Sequence, residues 1–426
     1  MRLPDRTALN GPIARATLRT SLVLGLRLLV QAGTLLLVAR MLGPDQFGAF
    51  AGVAALAVVL GTLSAFGTHV VLLGEVSRDP ARRLEVLRYA VPSTLLCGST
   101  LLALYLLACS LVLAKAGVAI QVLITIGVTE ILLQPLFSLP AAEHLALERT
   151  ARSQLLSTLP LALRLVAAAT IFLLRPADPL AAYGYGYLVA SLTALMIATY
   201  TMPAPWPAPK RWRLMSKAEL RNMAGYAALA VTATSPAELD KTLAAKLLPL
   251  GAAGLYAASA RIIGAAMLPV SAMMLSSLPR LFREGQDQPK RTAHLLRWIF
   301  AVALGYSVAL AVALWFTAPL FVWLFGSRYH GIQHTIHWLT LAVPGMALRM
   351  AAGSILMALG KPWMRVWFEA TGLIMLAVAA VLLTAKFDPG GMALALACSE
   401  WVMALFGGLL VLVNRQSHVR LPSGTD

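Results

Sequence analysis

The chain has 426 residues, of which 59% are hydrophobic and 12% charged, and its mean hydropathy is +0.76. Water-soluble folds carry about 25% charged residues, so this composition excludes an ordinary soluble enzyme or binding domain. The net charge of +17 would point to nucleic acid in a soluble protein; in a membrane protein the positive-inside rule produces the same excess, and no nucleic-acid partner is expected.

A membrane-crossing helix needs roughly 20 mostly apolar residues, and about a dozen such runs follow one another with short loops between them. Residues 1–19 form a basic N-terminus holding Arg2, Arg6, Arg15 and Arg19. It is similar to the front of a signal peptide, but the run that follows is too long and contains Arg27, so it reads as a retained first helix. Helices are predicted at about 20–42, 49–73, 88–113, 117–140, 154–174 and 179–200, then at 223–247, 252–281, 296–325, 335–358, 363–384 and 389–414. Between the two sets, residues 201–222 carry Pro203, Pro205, Pro207 and Pro209, then Lys210, Arg211 and Arg213, and read as a semi-rigid linker. Runs such as 49–73 are apolar all round, which excludes the alternating pattern of a membrane β-barrel.

Charge sets the orientation. One family of loops holds 24 Lys and Arg, and the alternate loops hold only Arg40, Lys115, Arg175, Lys246, Arg328 and Lys386. Both termini lie on the rich side. The expectation is an all-α polytopic membrane protein of about 12 transmembrane helices in two six-helix bundles, with N and C termini cytoplasmic. The lobes are 20–200 and 223–414, followed by a tail at 415–426.

The halves resemble each other. Ala39-Arg40-Met41-Leu42 with Gly48, Phe50 and Ala51 lines up with Ala245-Lys246-Leu247-Leu248 with Gly254, Tyr256 and Ala257, at a constant offset of 206. Six helices per half is even, so the repeats would be parallel, an arrangement common in alternating-access transporters.

Ten ionisable residues fall within the spans: Arg27, Arg164, Lys241, Arg261 and Arg349, against Glu130, Glu238, Asp240, Glu369 and Glu400. A charge at bilayer depth costs a few kcal/mol, so all ten must line a wet cavity or pair inside the bundle. Asp240–Arg261 and Glu369–Arg349 are the expected pairs. Arg27 has no acidic neighbour on its helix and is favoured as a ligand contact; Arg164 and Glu130 sit mid-span. Arginine suits a phosphate because its planar fork donates two parallel bonds.

The remaining motifs carry no separate chemistry. His330, His334 and His337 have metal-like spacing but no acidic or Cys ligand nearby, so they read as interfacial and no metal or cofactor is called. Tyr183, Tyr185 and Tyr187 read as an aromatic belt. Cys97, Cys109 and Cys398 read as packing residues.

Three segments resemble a known family. Leu37-Val38-Ala39-Arg40-Met41-Leu42-Gly43-Pro44-Asp45-Gln46-Phe47-Gly48 resembles the end of helix 1 in bacterial polysaccharide transporters, the O-antigen and exopolysaccharide flippases. Gly254-Leu255-Tyr256-Ala257-Ala258-Ser259-Ala260-Arg261 is similar to the matching piece after helix 7, and Phe325-Gly326-Ser327-Arg328-Tyr329 to the outer turn after helix 9. The resemblance implies the multidrug, oligosaccharidyl-lipid and polysaccharide (MOP) flippase superfamily, whose members carry polyprenyl-pyrophosphate-linked sugars across the bacterial inner membrane. Its cavity cations are thought to engage the pyrophosphate. Arg27 and Arg261 resemble such positions in the lipid-linked peptidoglycan precursor flippase, whose two extra helices this chain lacks. The implied partners are the lipid-linked glycan, membrane lipids, a polysaccharide polymerase and a chain-length regulator.

The substrate-contact candidates are therefore Arg27, Arg261, Arg349, Lys241 and Arg164, and the candidates for ion coupling are Asp240, Glu130, Glu369 and Glu400. A drug exporter of the same superfamily is the alternative. A polysaccharide polymerase or ligase would need a long catalytic outer loop, which the sequence does not offer, so no enzyme is expected.

Overall fold

The computed structural model describes residues 12–112, 117–274, 289–358, 361–387 and 390–419. Arg2, Arg6, Lys115, Arg280, Arg283 and Arg420, counted above for orientation, lie outside the described residues. Those described form helices and their connections, with no strand among them.

In chain order the helices are α1 (Pro12–Ala65), α2 (Thr68–Arg78), α3 (Arg83–Val112), α4 (Ile120–Gly127), a π-helical turn (Val128–Leu133), α5 (Gln134–Ala146), α6 (Thr150–Leu174) and α7 (Pro179–Thr201). They continue with α8 (Lys217–Leu247), α9 (Leu250–Ala266), α10 (Leu268–Met274), α11 (Pro289–Phe325), α12 (Ile332–Thr340), α13 (Val343–Ala358), α14 (Pro362–Thr384) and α15 (Gly391–Val419). Among the described residues eight helices are long and apolar enough to cross a membrane, or ten if the bent pairs α9–α10 and α12–α13 each count as one. The charged α8 is not among them.

Several boundaries differ from the expected ones. The first two predicted spans are one run of 54 residues, α1, interrupted only at Gly43 (φ 72°, ψ 171°). Gly43 divides α1 into stretches 12–42 and 44–65, about 46 and 33 Å at 1.5 Å per residue, each long enough for one bilayer crossing. Pro44 follows the break as the first residue of the next helical stretch, where its missing N–H costs nothing. The expected outer loop with Arg40 is therefore helical up to Gly43. The second break comes at Phe66–Gly67, both with positive φ, inside the predicted second span.

The chain divides into two compact units, Met1–Leu42 with Leu60–Ala227, and Gly43–Val59 with Ala228–Asp426. In the first, α2 packs on α3 and α5, α5 on α6 and α7, and α4 on α7. The linker is bound to this unit. Arg83 ion-pairs with the fully buried Glu143 (Nε–Oε1 2.6 Å) and donates to the Ala204 and Pro205 carbonyls. Met202 and Met223 join a core with Leu72, Leu87 and Leu139, against which Trp206 and Met215 pack.

Where the linker enters α8, Ser216 and Glu219 form a capping box, each accepting the other's backbone N–H, and Arg213 grips the Glu219 carboxylate at 2.6 and 2.8 Å. Arg213, helped by Ser216 and opposed by burial, holds Glu219 down at about 2, below its ordinary 4.5. A depressed carboxylate contributes stability above its unfolded value and loses it only as pH falls through the folded one. Hydrogen exchange should therefore show the Ser216 amide equally protected at pH 7 and pH 5, and deprotected in Glu219→Ala, which removes the acceptor. Unchanged protection in that variant would refute the clasp.

In the second unit, α13 packs on α11, α14 and α15, while α12 joins α9 to α11 and α15. Residues 44–59 of α1 cross α9 at a backbone-to-backbone approach. A Cβ on Gly48 would lie 2.3 Å from the Leu250 carbonyl oxygen, and one on Gly254 would lie 1.9 Å from that of Pro44. The approach is reciprocal, because Pro44 and Leu250, like Gly48 and Gly254, are partners at the 206-residue offset. Asp45 and Gly251, also partners at that offset, face each other, with Asp45 Oδ1 3.1 Å from where a Gly251 Cβ would sit. Small residues at such crossings let helix backbones meet and exchange Cα–H···O contacts.

Candidate functional site

The membrane charges gather into three clusters. In the first unit, Glu130 sits on the π-helical turn, a feature frequent at functional sites. Its carboxylate meets Arg164 of α6 at 3.1 Å and accepts the Tyr187 hydroxyl. Arg164 also donates to Ser191 (3.1 Å) and lies 3.9 Å over the Tyr187 ring. Gly61 admits the bulge: a Cβ there would be 2.0 Å from the Glu130 carbonyl oxygen. The cluster is buried and balanced in charge.

The second cluster joins α8 to α9. Lys241 lies 3.2 Å from Asp240 and 3.8 Å from Glu238, and donates to the Ala237 carbonyl. Tyr256 donates to the other Asp240 oxygen at 3.0 Å. Arg261 pairs with Glu238 (Nη2–Oε2 3.2 Å), not with Asp240 as expected. Residues two apart on a helix point to nearly opposite faces, and Asp240 is taken by Tyr256 and Lys241. The Arg261 side chain is 42% exposed, the most open of the paired cations in the spans.

The third cluster binds three helices: Arg349 of α13 holds Glu369 of α14 and Glu400 of α15, each at 2.5 Å, the first as expected and the second not. All three side chains are 11% exposed or less. Arg27 stands apart. It is half-buried on α1 and makes no ion pair among the described residues.

Other expectations change. Tyr183 and Tyr187 are buried rather than interfacial, and only Tyr185 is exposed. Their i, i+4 spacing, continued to Ser191, is the sequence signal of a core-facing stripe. His330 lies before α12; His334 accepts from the Trp338 indole (2.9 Å), and His337 stacks on Trp315 at 4.1 Å. No group of three His, Cys, Asp or Glu that could hold a metal occurs among the described residues. Of the cysteines, Cys109 is buried, Cys97 half-buried and Cys398 exposed.

Residues 13–284, which include Arg27, Glu130, Arg164 and Arg261, match the family described as polysaccharide biosynthesis protein. The chain belongs to this family. No curated protein matches it in sequence. Its fold is similar to an inward-facing multidrug-resistance transporter of the MATE family in the MOP superfamily (14% identity, TM-score 0.76, covering 93% of this chain and 96% of that one). It is also similar to a MOP-superfamily transporter from Pyrococcus furiosus, whose binding pocket is described as reversed in polarity (14% identity, TM-score 0.66, 96% of each chain). An outward-facing MATE transporter is a third (14% identity, TM-score 0.63, 94% and 96%). The likeness to these structures is one of fold. Family and fold together point to a multi-pass membrane transporter.

Proposed function

We propose that this chain is a flippase carrying an undecaprenyl-pyrophosphate-linked oligosaccharide from the cytoplasmic to the outer leaflet of a bacterial inner membrane, by alternating access, for O-antigen or exopolysaccharide assembly. The observation that carries this reading is Arg261. In a chain of this family, on an apolar helix, its guanidinium is oriented by Glu238 through one nitrogen while the rest of the fork stays open. Such a group is suited to bidentate phosphate recognition. Arg27, half-buried and without a carboxylate among the described residues, is assigned the same role at another stage of transport. Arg164, Lys241 and Arg349, gripped by carboxylates, hold the helices that present the site.

We read twelve crossings with both termini cytoplasmic, counting α1 as divided at Gly43 and including α8. If transport runs uphill, ion coupling falls to Glu130, Asp240, Glu369 or Glu400; liposome transport indifferent to pH and sodium gradients would remove that part.

The test uses cells lacking this gene but keeping the glycan's initiating transferase. Lipid-linked oligosaccharide should accumulate on the cytoplasmic face while surface polysaccharide is lost. Complementation by Arg261→Ala should be about 10–100-fold weaker, the equivalent of one charged hydrogen bond, with Arg261→Lys intermediate. A normal pool and normal surface polysaccharide, with no second flippase present, would overturn the proposal in favour of drug or metabolite export.

A further inference from the structure

The ammonium of Lys241 has three N–H donors, and the side chain is only 4% exposed. Asp240 Oδ1 accepts one donor at 3.2 Å and the Ala237 carbonyl a second. Among the described residues the third meets only Glu238 Oε2, at 3.8 Å, beyond hydrogen-bond length. A buried donor without its bond is destabilising, so Lys241 is poised to make one more contact. The oxygen it faces is the one that holds Arg261. Glu238 Oε2 lies 3.2 Å from Arg261 Nη2 on α9 and 3.8 Å from Lys241 Nζ, one turn along its own helix. Asp240 is fixed beside them: the Lys241 backbone N–H donates to Oδ1 (2.8 Å) and the Tyr256 hydroxyl to Oδ2 (3.0 Å). Asp240 therefore keeps the ammonium in place, and Glu238 is the member free to move.

An anion that binds the open part of the Arg261 fork brings like charge against Glu238. Two negative groups a few ångströms apart repel strongly where the dielectric is low. A carboxylate driven off without a new partner at membrane depth would be less favourable still. We propose that Lys241 receives Glu238 when an anion occupies Arg261, so that the carboxylate changes cations rather than losing one. The Glu238–Arg261 pair ties α8 to α9, whereas the pair that replaces it lies within α8. Arrival of the anion thus unlatches α9 from α8 at this level, while Tyr256 keeps the two helices joined through Asp240. Lys241 is then a positioning residue, acting on the anion through Glu238. That Arg261 meets a phosphate-type anion is the reading given above; the handover to Lys241 rests on it and goes beyond it.

Calorimetric titration of inorganic pyrophosphate into the full-length protein in lipid nanodiscs separates the two. Binding should weaken about tenfold in Arg261→Ala, and about fivefold in Lys241→Met, where Glu238 has no second cation to move to. It should stay within about twofold of wild type in Lys241→Arg, and return to that level or tighter when Glu238→Gln is added to Lys241→Met. Damage to packing at Lys241 would not be mended by a change at Glu238. Should Lys241→Met fail to fold, Asp240→Asn with Lys241→Met removes the buried charges as a pair and carries the same expectations. Binding that needs Arg261 but is indifferent to Lys241→Met would overturn the handover and leave the reading of Arg261 intact. So would a loss that persists with Glu238→Gln, since Lys241 would then act on the anion itself. Binding that is absent, or unchanged in Arg261→Ala, would remove that reading and the handover with it.

Discussion

Replacing Arg349 with methionine should be the most destabilising single change in the second unit. The guanidinium is the shared counter-charge of Glu369 and Glu400, which sit on different helices at bilayer depth. Breaking a buried pair by removing one partner costs about 3–5 kcal/mol, because the remaining charge is left uncompensated. Here two carboxylates lose their partner at once, so α13, α14 and α15 lose their common tie. Thermal unfolding in detergent should show a large fall in midpoint for Arg349→Met, and expression should drop. The triple variant Arg349→Met, Glu369→Gln, Glu400→Gln should recover most of it, since burying neutral groups is far cheaper than burying unpaired charge. An unaltered midpoint in Arg349→Met would show that the triad does not hold the helices.

The second large effect is expected at the crossing of α1 and α9. Gly254→Val places a side chain where the Pro44 carbonyl oxygen already lies within 1.9 Å of the Cβ position, and Gly48→Val does the same against Leu250. The opposing atoms are backbone, so neither helix can yield by a rotamer change. Overpacking of this kind costs about 3 kcal/mol. Gly264→Ala on the same helix α9 is the control, because a Cβ there meets nothing within 4 Å, and surface changes of that sort stay within about 0.5 kcal/mol. Both valine variants should unfold at clearly lower temperature and the control should not. If the valine variants match the control, the backbones do not meet as described.

Much of the fold was legible because one physical signal dominates a membrane chain: continuous apolar runs, each near bilayer length, separated by charge. That signal says little about breaks. Gly43-Pro44 reads as a loop, yet the helix resumes at once, since Pro44 is well suited to a first helical turn. The π-helical turn at Val128–Leu133 has no composition of its own. Beside it Gly61 lets a neighbouring helix approach the Glu130 carbonyl, a long-range contact that composition does not announce. The site was legible in part. Charge cost alone identified the ten residues, and Arg349–Glu369 followed from their depth. Depth could not choose between Glu238 and Asp240 for Arg261, because that depends on which face of α8 looks toward α9. Tyr183 and Tyr187 lie close enough to a helix end to resemble an interfacial belt, and only their i, i+4 spacing marks the core stripe they form.

The reciprocal approach at Gly48 and Gly254 has a bearing on ancestry. Contacts in which one residue touches the second copy of its partner, and the partner touches the second copy of the first, characterise two identical chains about a two-fold axis. Asp45 and Gly251, each facing its own counterpart, lie where that axis would pass. An ancestor of half this length, paired with itself side by side in the membrane, would have met at a single glycine used twice. Gene fusion would then have turned one self-complementary position into two, free to diverge everywhere except where the backbones touch.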